Sequence, residues 1–118
     1  MKHQIGKKKL NLRSPHRKSL LRNQTIILIE HGHLTTTTAR AKEVKKFAEK
    51  LVTLAKKGYN FNTIRRAKSL LPYKDAALKK LFDEVAPKYS DRQGGYTRII
   101  KLGKRVSDTA PVARLEWV

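Results

Sequence analysis

The sequence predicts an α+β fold, with about four helices packed on a small C-terminal sheet, antiparallel or mixed, and an extended basic N-terminal arm. Two observations carry this. Apolar residues recur at helical spacing from Leu20 to Val85, and after Tyr89 the period shortens to two. A third concerns residues 1–13, which offer Ile5 and Leu10 as apolar anchors and little else. They cannot bury a core of their own. A chain of 118 residues suits one domain, so the division is an arm, 1–13, and a single body, 14–118.

Ser14-Pro15 starts the first helix, with Ser as N-cap and Pro at the first helical position. It runs to about His31, and Gly32 stops it. Leu20, Gln24, Ile27, Leu28 and His31 share one face. Ile26 and Ile29 lie elsewhere, so the second half reads as buried on several sides. Thr25 to Ile29 is rich in β-branched residues, which makes a strand the competing reading. The cap and stop signals favour helix.

His33 to Thr37 reads as a short Thr-rich link or strand. A second helix follows from about Thr38 to Lys57, closed by Gly58, with Val44, Phe47, Ala48, Leu51, Leu54 and Ala55 at helical spacing. Asn62 caps a third helix carrying Ile64, Ala67, Leu70 and Leu71, and Pro72 ends it. A fourth starts near Lys74 or Asp75. Its stripe is Leu78, Leu81, Phe82 and Val85, and Pro87 closes it. Tyr96–Leu102 and Val112–Val118 read as an antiparallel strand pair joined by the loop from Gly103 to Pro111. In the second strand Ala113, Leu115 and Trp117 alternate with Arg114 and Glu116, a half-buried edge pattern that turns Trp117 inward.

Charge sets the function class. The chain holds 28 Lys or Arg against 9 Asp or Glu, a net charge of +19. The first acidic residue is Glu30, so Lys2, Lys7, Lys8, Lys9, Arg13, Arg17, Lys18 and Arg22 stand uncompensated before it. Such a segment repels itself in water and settles against a polyanion. There is no Cys, which excludes disulfides and thiolate metal sites and suits a reducing compartment. No apolar run approaches the roughly 20 residues that span a bilayer. No secretory h-region follows the basic start.

Three constellations are candidates for binding. In the first, Arg17 and Lys18 occupy the opening turn of helix 1, at the positive end of its dipole, where an anion would offset their cost. Lys18 and Arg22, four apart, face the same way and suit tracking of a phosphate backbone. A solvated basic tail is the plainer alternative. The second is Asp91 to Arg98. Gly94-Gly95 permits a tight turn, Arg92 and Arg98 can fork onto phosphates, Tyr96 can stack on a base, and Thr97 lies between them. Arg98 is expected to share a face with Tyr96. An ordinary turn with surface arginines competes here. The third is Thr36-Thr37-Thr38, then Arg40 and Lys42, at the start of helix 2. Their hydroxyls serve as caps more readily than as donors to phosphate.

Other chemistry is weakly signalled. His31 and His33 lack a third metal ligand at fitting spacing. Asp83 and Glu84 are adjacent on a helix and point about 100° apart, so they cannot act as a facing pair. No P-loop, dinucleotide fingerprint or catalytic triad is present. No cofactor, metal or small-molecule substrate is expected, and an enzyme is the least favoured class.

The same residues resemble a known family. The chain is similar to bacterial large-subunit ribosomal proteins of the L-seventeen family from Met1 to Val118. The shared positions include His3, Lys9-Leu10, Ser14, His16-Arg17, Leu21-Arg22-Asn23, Thr36-Thr37, Ala41-Lys42-Glu43 and Leu51 to Lys56. The most specific stretch runs from Leu81-Phe82 through Arg92-Gln93-Gly94-Gly95-Tyr96-Thr97-Arg98 to Lys101, with Arg105, Asp108, Ala110-Pro111 and Glu116 beyond it. Ser107 stands where the family usually has Gly, and the Lys2-His3-Gln4 opening has less Arg than usual.

The resemblance implies a structural, non-enzymatic component of the large ribosomal subunit that binds 23S-type RNA. It implies a place on the solvent side near the mouth of the exit tunnel, beside other ribosomal proteins. It also implies a cytoplasmic product without a presequence, bacterial or organelle-encoded. The expected RNA contacts are Lys2, His3, Lys7, Lys8, Lys9, Arg13, His16, Arg17, Lys18, Arg22 and Asn23 in the arm and first helix. Thr36, Thr37, Lys42, Arg92, Tyr96, Thr97, Arg98, Lys101 and Arg105 complete the set. His3 and His16 can donate to RNA oxygens without being protonated. The alternative is an architectural DNA-binding protein, which shares the charge but would show a recognition helix, a wedge or a dimer seam. A membrane-surface module would need helix 1 to spare an apolar face for lipid.

Overall fold

A computed structural model describes residues 10, 12–72 and 75–118, so Lys2, His3, Lys7, Lys8 and Lys9 lie outside the described residues. Helix α1 spans Ser14–His31 and strand β1 His33–Thr37. Helix α2 spans Thr38–Ala55 and α3 Phe61–Leu70. A last helical rod, α4, begins as Asp75–Lys80, widens into a π-helical turn over Leu81–Val85 and ends as Ala86–Lys88. Strands β2 (Thr97–Lys104) and β3 (Pro111–Trp117) complete an α+β fold of helices against a three-stranded antiparallel sheet.

Helix α1 ends where its glycine demands. Gly32 adopts φ +82°, and its N–H bonds the Leu28 carbonyl. The start differs from expectation: Ser14 is already helical, and Arg13, extended, takes the cap position without a side-chain bond. The buried face is Thr25, Ile26, Leu28 and Ile29, while Ile27 is exposed. Two adjacent pairs, separated by one outward residue, form one stripe on a helix of 3.6 residues per turn.

Asn60, not Asn62, caps α3, its side chain accepting the Thr63 N–H at 3.0 Å. The first backbone N–H groups of a helix need acceptors, and an Asn just before the first turn supplies one. Pro87 does not close α4 but lies inside its last turn. A proline ring crowds the carbonyl four residues back, here Asp83. The turn before it is correspondingly wide, and the Ala86 N–H reaches back five residues to the Leu81 carbonyl. The predicted stripe, Leu78, Leu81, Phe82 and Val85, is buried throughout.

The sheet order is β1-β3-β2, so β3 is the central strand rather than an edge. His33 pairs with Glu116 and Thr37 with Val112 on one side. Thr97 pairs with Trp117 and Lys104 with Pro111 on the other, with a bulge between Lys101 and Gly103. Ala113 and Leu115 face the helices and are fully buried. Two apolar clusters result. One joins α1, α2, α3 and α4 through Ile26, Ile29, Leu51, Leu71 and Leu81. The other seats Leu34, Ala113 and Leu115 on Leu28, Val44 and Ala48. Trp117 packs against both, and its Nε1 donates to the Leu28 carbonyl at 3.2 Å.

Candidate nucleic-acid interface

The first turn of α1 holds no acidic residue. Arg13, His16, Lys18 and Asn23 are exposed there and along the helix. Arg17 is half-buried, and its guanidinium donates to the Leu12 carbonyl at 3.4 Å. Arg22 departs from the backbone-tracking role. Its Nε donates to the Leu70 carbonyl at 3.0 Å and a terminal nitrogen to the Ser69 carbonyl at 3.4 Å. Those carbonyls sit at the end of α3, where helical partners run out, so Arg22 staples α1 to α3. Lys18 is left facing outward.

The loop before β2 is built from the inside. Gly94 and Gly95 take φ +88° and +62°, a pair of left-handed steps that side-chain-bearing residues resist. Strand β2 begins only at Thr97, so Tyr96 lies outside its alternation and turns inward instead of sharing the face of Arg98. It is only 2% exposed, and its ring packs at 5.3 Å on Tyr89. The Lys56 ammonium donates to its phenol oxygen at 3.1 Å and to the Arg92 carbonyl. Bonding from Thr53, then from Lys56, holds the phenol below its ordinary pKa against the opposing effect of burial. Tyr96 is therefore core, and its ring is not presented to a base. Thr97 is likewise engaged: its N–H and hydroxyl both donate to Glu49 Oε1, at 3.3 and 2.9 Å. Thr36 accepts from Gln24 Nε2 at 3.3 Å, and Thr37 precedes α2 without a side-chain cap bond. Capping does not explain either hydroxyl.

Arg92, Lys42, Lys101 and Lys104 are exposed. On the sheet face away from the helices, Glu116 lies between two arginines, 3.2 Å from Arg98 and 3.5 Å from Arg114. Pairing across the strands places Arg98 opposite Glu116, and the carboxylate holds both guanidiniums side by side. At the hairpin end, Arg105 forks onto Asp108 with bonds of 2.9 and 2.7 Å. Ser107 lies outside the left-handed region, which Thr109 enters instead, so serine in place of the family's usual glycine strains nothing.

The Arg105 fork, then the Ala110 N–H, pull the Asp108 carboxyl down from an ordinary 3.8 to about 2. Because the folded value is depressed, the tie is fully present above the ordinary carboxylate range and is lost as pH falls through about 2. A carbon-detected NMR titration is expected to find Asp108 titrating near 2 and to find it back in the ordinary range in Arg105→Ala. An unchanged midpoint in that variant would remove the fork as the cause.

One cationic surface has no counterpart among the sequence-predicted sites. A groove of about 320 Å³ between α2 and α3 is lined by Lys50, Thr53, Leu54, Lys57, Arg66 and Leu70. Its signal in the sequence is the absence of any Asp or Glu from residue 50 to 74.

Fold and charge define a small, basic α+β protein whose cations are displayed on helix starts, a strand face and an inter-helix groove. Ribosomal proteins are of this class. A model of the family described as ribosomal protein L17 matches residues 20–118, and the chain belongs to that family. It is 52% identical over 118 residues to the large ribosomal subunit protein bL17 of Sphingopyxis alaskensis, spanning 100% of this chain and 84% of that one. The bL17 protein of Zymomonas mobilis is also 52% identical, over 100% of this chain and 83% of its own. That of Thermoanaerobacter pseudethanolicus is 47% identical over 97% of this chain and 100% of its own. Membership makes this a ribosomal structural protein and not an enzyme.

Proposed function

We propose that this chain is a structural constituent of the large ribosomal subunit that binds and stabilises large-subunit RNA through its phosphates. The observation that carries the reading is the charge of +19 with no acidic residue before Glu30, in a family of ribosomal proteins. Phosphate contacts fix position and orientation and need no base readout. Arg13, His16, Lys18, Arg92, Lys101 and the Arg98–Arg114 pair are among the described side chains placed outward to make them. Tyr96 and Thr97 lie inside, bonded within the fold. Lys2 and Lys7 to Lys9 add to the same charge, and His3 adds a hydrogen-bond donor. The resemblance adds a position on the solvent side near the exit tunnel, beside other ribosomal proteins.

Sedimentation of a native lysate through a sucrose gradient tests this. The chain is expected to travel with the large subunit and to leave that peak after extensive ribonuclease digestion. A slow free peak in both gradients would overturn the reading and make duplex DNA the next partner to try.

A further inference from the structure

The corner between α2 and α3 carries two aromatic rings that stand largely outside the core. Tyr59 is 71% exposed and Phe61 77%, while the other described aromatics are buried or half-buried. A single exposed ring needs no explanation. Two rings, two residues apart, stand here in a stretch of one sign: residues 50–74 hold seven Lys or Arg and no Asp or Glu.

The surroundings hold the rings ready. Tyr59 meets Phe82 edge to face, with centroids 5.3 Å apart and planes at 86°. Clefts of about 220 and 230 Å³ each include Tyr59 and Phe82 in their walls. The first has Ala55, Gly58 and Pro87 around it, and the second Ile64, Lys68 and Asp75. Phe61 has the Arg65 guanidinium over its ring at 5.8 Å. Lys57 and Arg66, close by in sequence, line the α2–α3 groove.

We propose that this corner is a stacking site for unpaired RNA bases. Tyr59 and Phe61 take the base faces, and Lys57 and Arg66 take neighbouring phosphates. The inference rests on the RNA-binding reading above and deepens it. Unpaired bases in loops and bulges offer flat π-faces beside phosphates, which aromatic and cationic side chains take together. A protein neighbour would match the rings but would meet the positive charge of Lys57, Arg65 and Arg66. A strand of RNA satisfies both.

The test uses the full chain and two probes, a mixed-sequence single-stranded RNA without self-complementarity and an RNA duplex of equal length. Fluorescence anisotropy measures both affinities at one salt concentration. Tyr59→Ala/Phe61→Ala is expected to lose about tenfold or more on the single strand and little on the duplex. Tyr59→Phe is expected to bind as the parent does, since a phenyl ring stacks as well. Lys57→Ala/Arg66→Ala is expected to weaken both. Circular dichroism melts confirm folding, because the truncated rings are largely exposed. A parent that binds both RNAs, with a double variant that binds them equally well, would overturn the stacking site and leave RNA binding standing. The rings would then belong to a protein neighbour. A parent that binds neither RNA overturns the stacking site and the RNA-binding reading together.

Discussion

Deleting residues 1–13 is expected to leave the body folded while flattening the salt dependence of RNA binding. Among the described residues, the two apolar clusters begin at Ile26 and Leu28, and the earliest side chain packed against either is Leu21. Among the described residues, the deletion takes the Arg13 carbonyl that receives the Arg17 N–H and the Leu12 carbonyl that receives the Arg17 guanidinium. The first turn of α1 should fray and the melting temperature should hold. The deletion removes Lys2, Lys7, Lys8, Lys9 and Arg13. Every phosphate left without its cation takes about 0.7–0.9 from the slope of log affinity against log salt, so the slope should fall by up to about 4. Filter binding over a salt series measures it. An unchanged slope, or full-strength incorporation into the subunit, would remove the arm from the RNA interface.

Tyr96→Ala is expected to act on stability. Emptying the site of a ring packed on Tyr89 costs about 3–5 kcal/mol, and the melt of a domain this size should drop by roughly 10–20 °C. Tyr96→Phe keeps the ring and loses only the phenol's bonds, so about 0.5–1.5 kcal/mol is expected. Below its melt, the alanine variant should bind RNA as the parent does. Parent-like melting combined with weakened RNA binding would move the ring from the core to the RNA.

The same tyrosine shows where sequence patterning stops. Alternation along Tyr96–Leu102 assigns Tyr96 and Arg98 to one face, but β2 begins only at Thr97 and Tyr96 belongs to the loop before it. That loop is pinned by Lys56, forty residues before Tyr96 in sequence. Local signals do better. Pro15 and Gly32 bracket α1 to within a residue or two, and the stripe of α4 is legible in full. β1 is ambiguous because one buried residue, Leu34, among threonines gives no period to read. The central place of β3 is hidden because its pairing with β1 is wholly non-local. Among binding residues, charge is visible and its commitments are not. Arg22 and Arg98 each have carbonyl or carboxylate partners that only the fold brings near.

The position of β3 carries a consequence for biosynthesis. It is last of the three strands in chain order, yet both other strands hydrogen-bond to it. β1 pairs with residues about eighty positions later. A growing chain can wind α1 and α2 early, but the edge of β1 stays unzipped until residues 111–117 emerge. Long-range pairings of this kind come late, after the entropy of a large loop has been spent. Until then Leu34, Val44 and Leu28 lack the cover of Ala113 and Leu115, and the nascent protein presents a sticky seam that its own net charge helps keep apart from other copies.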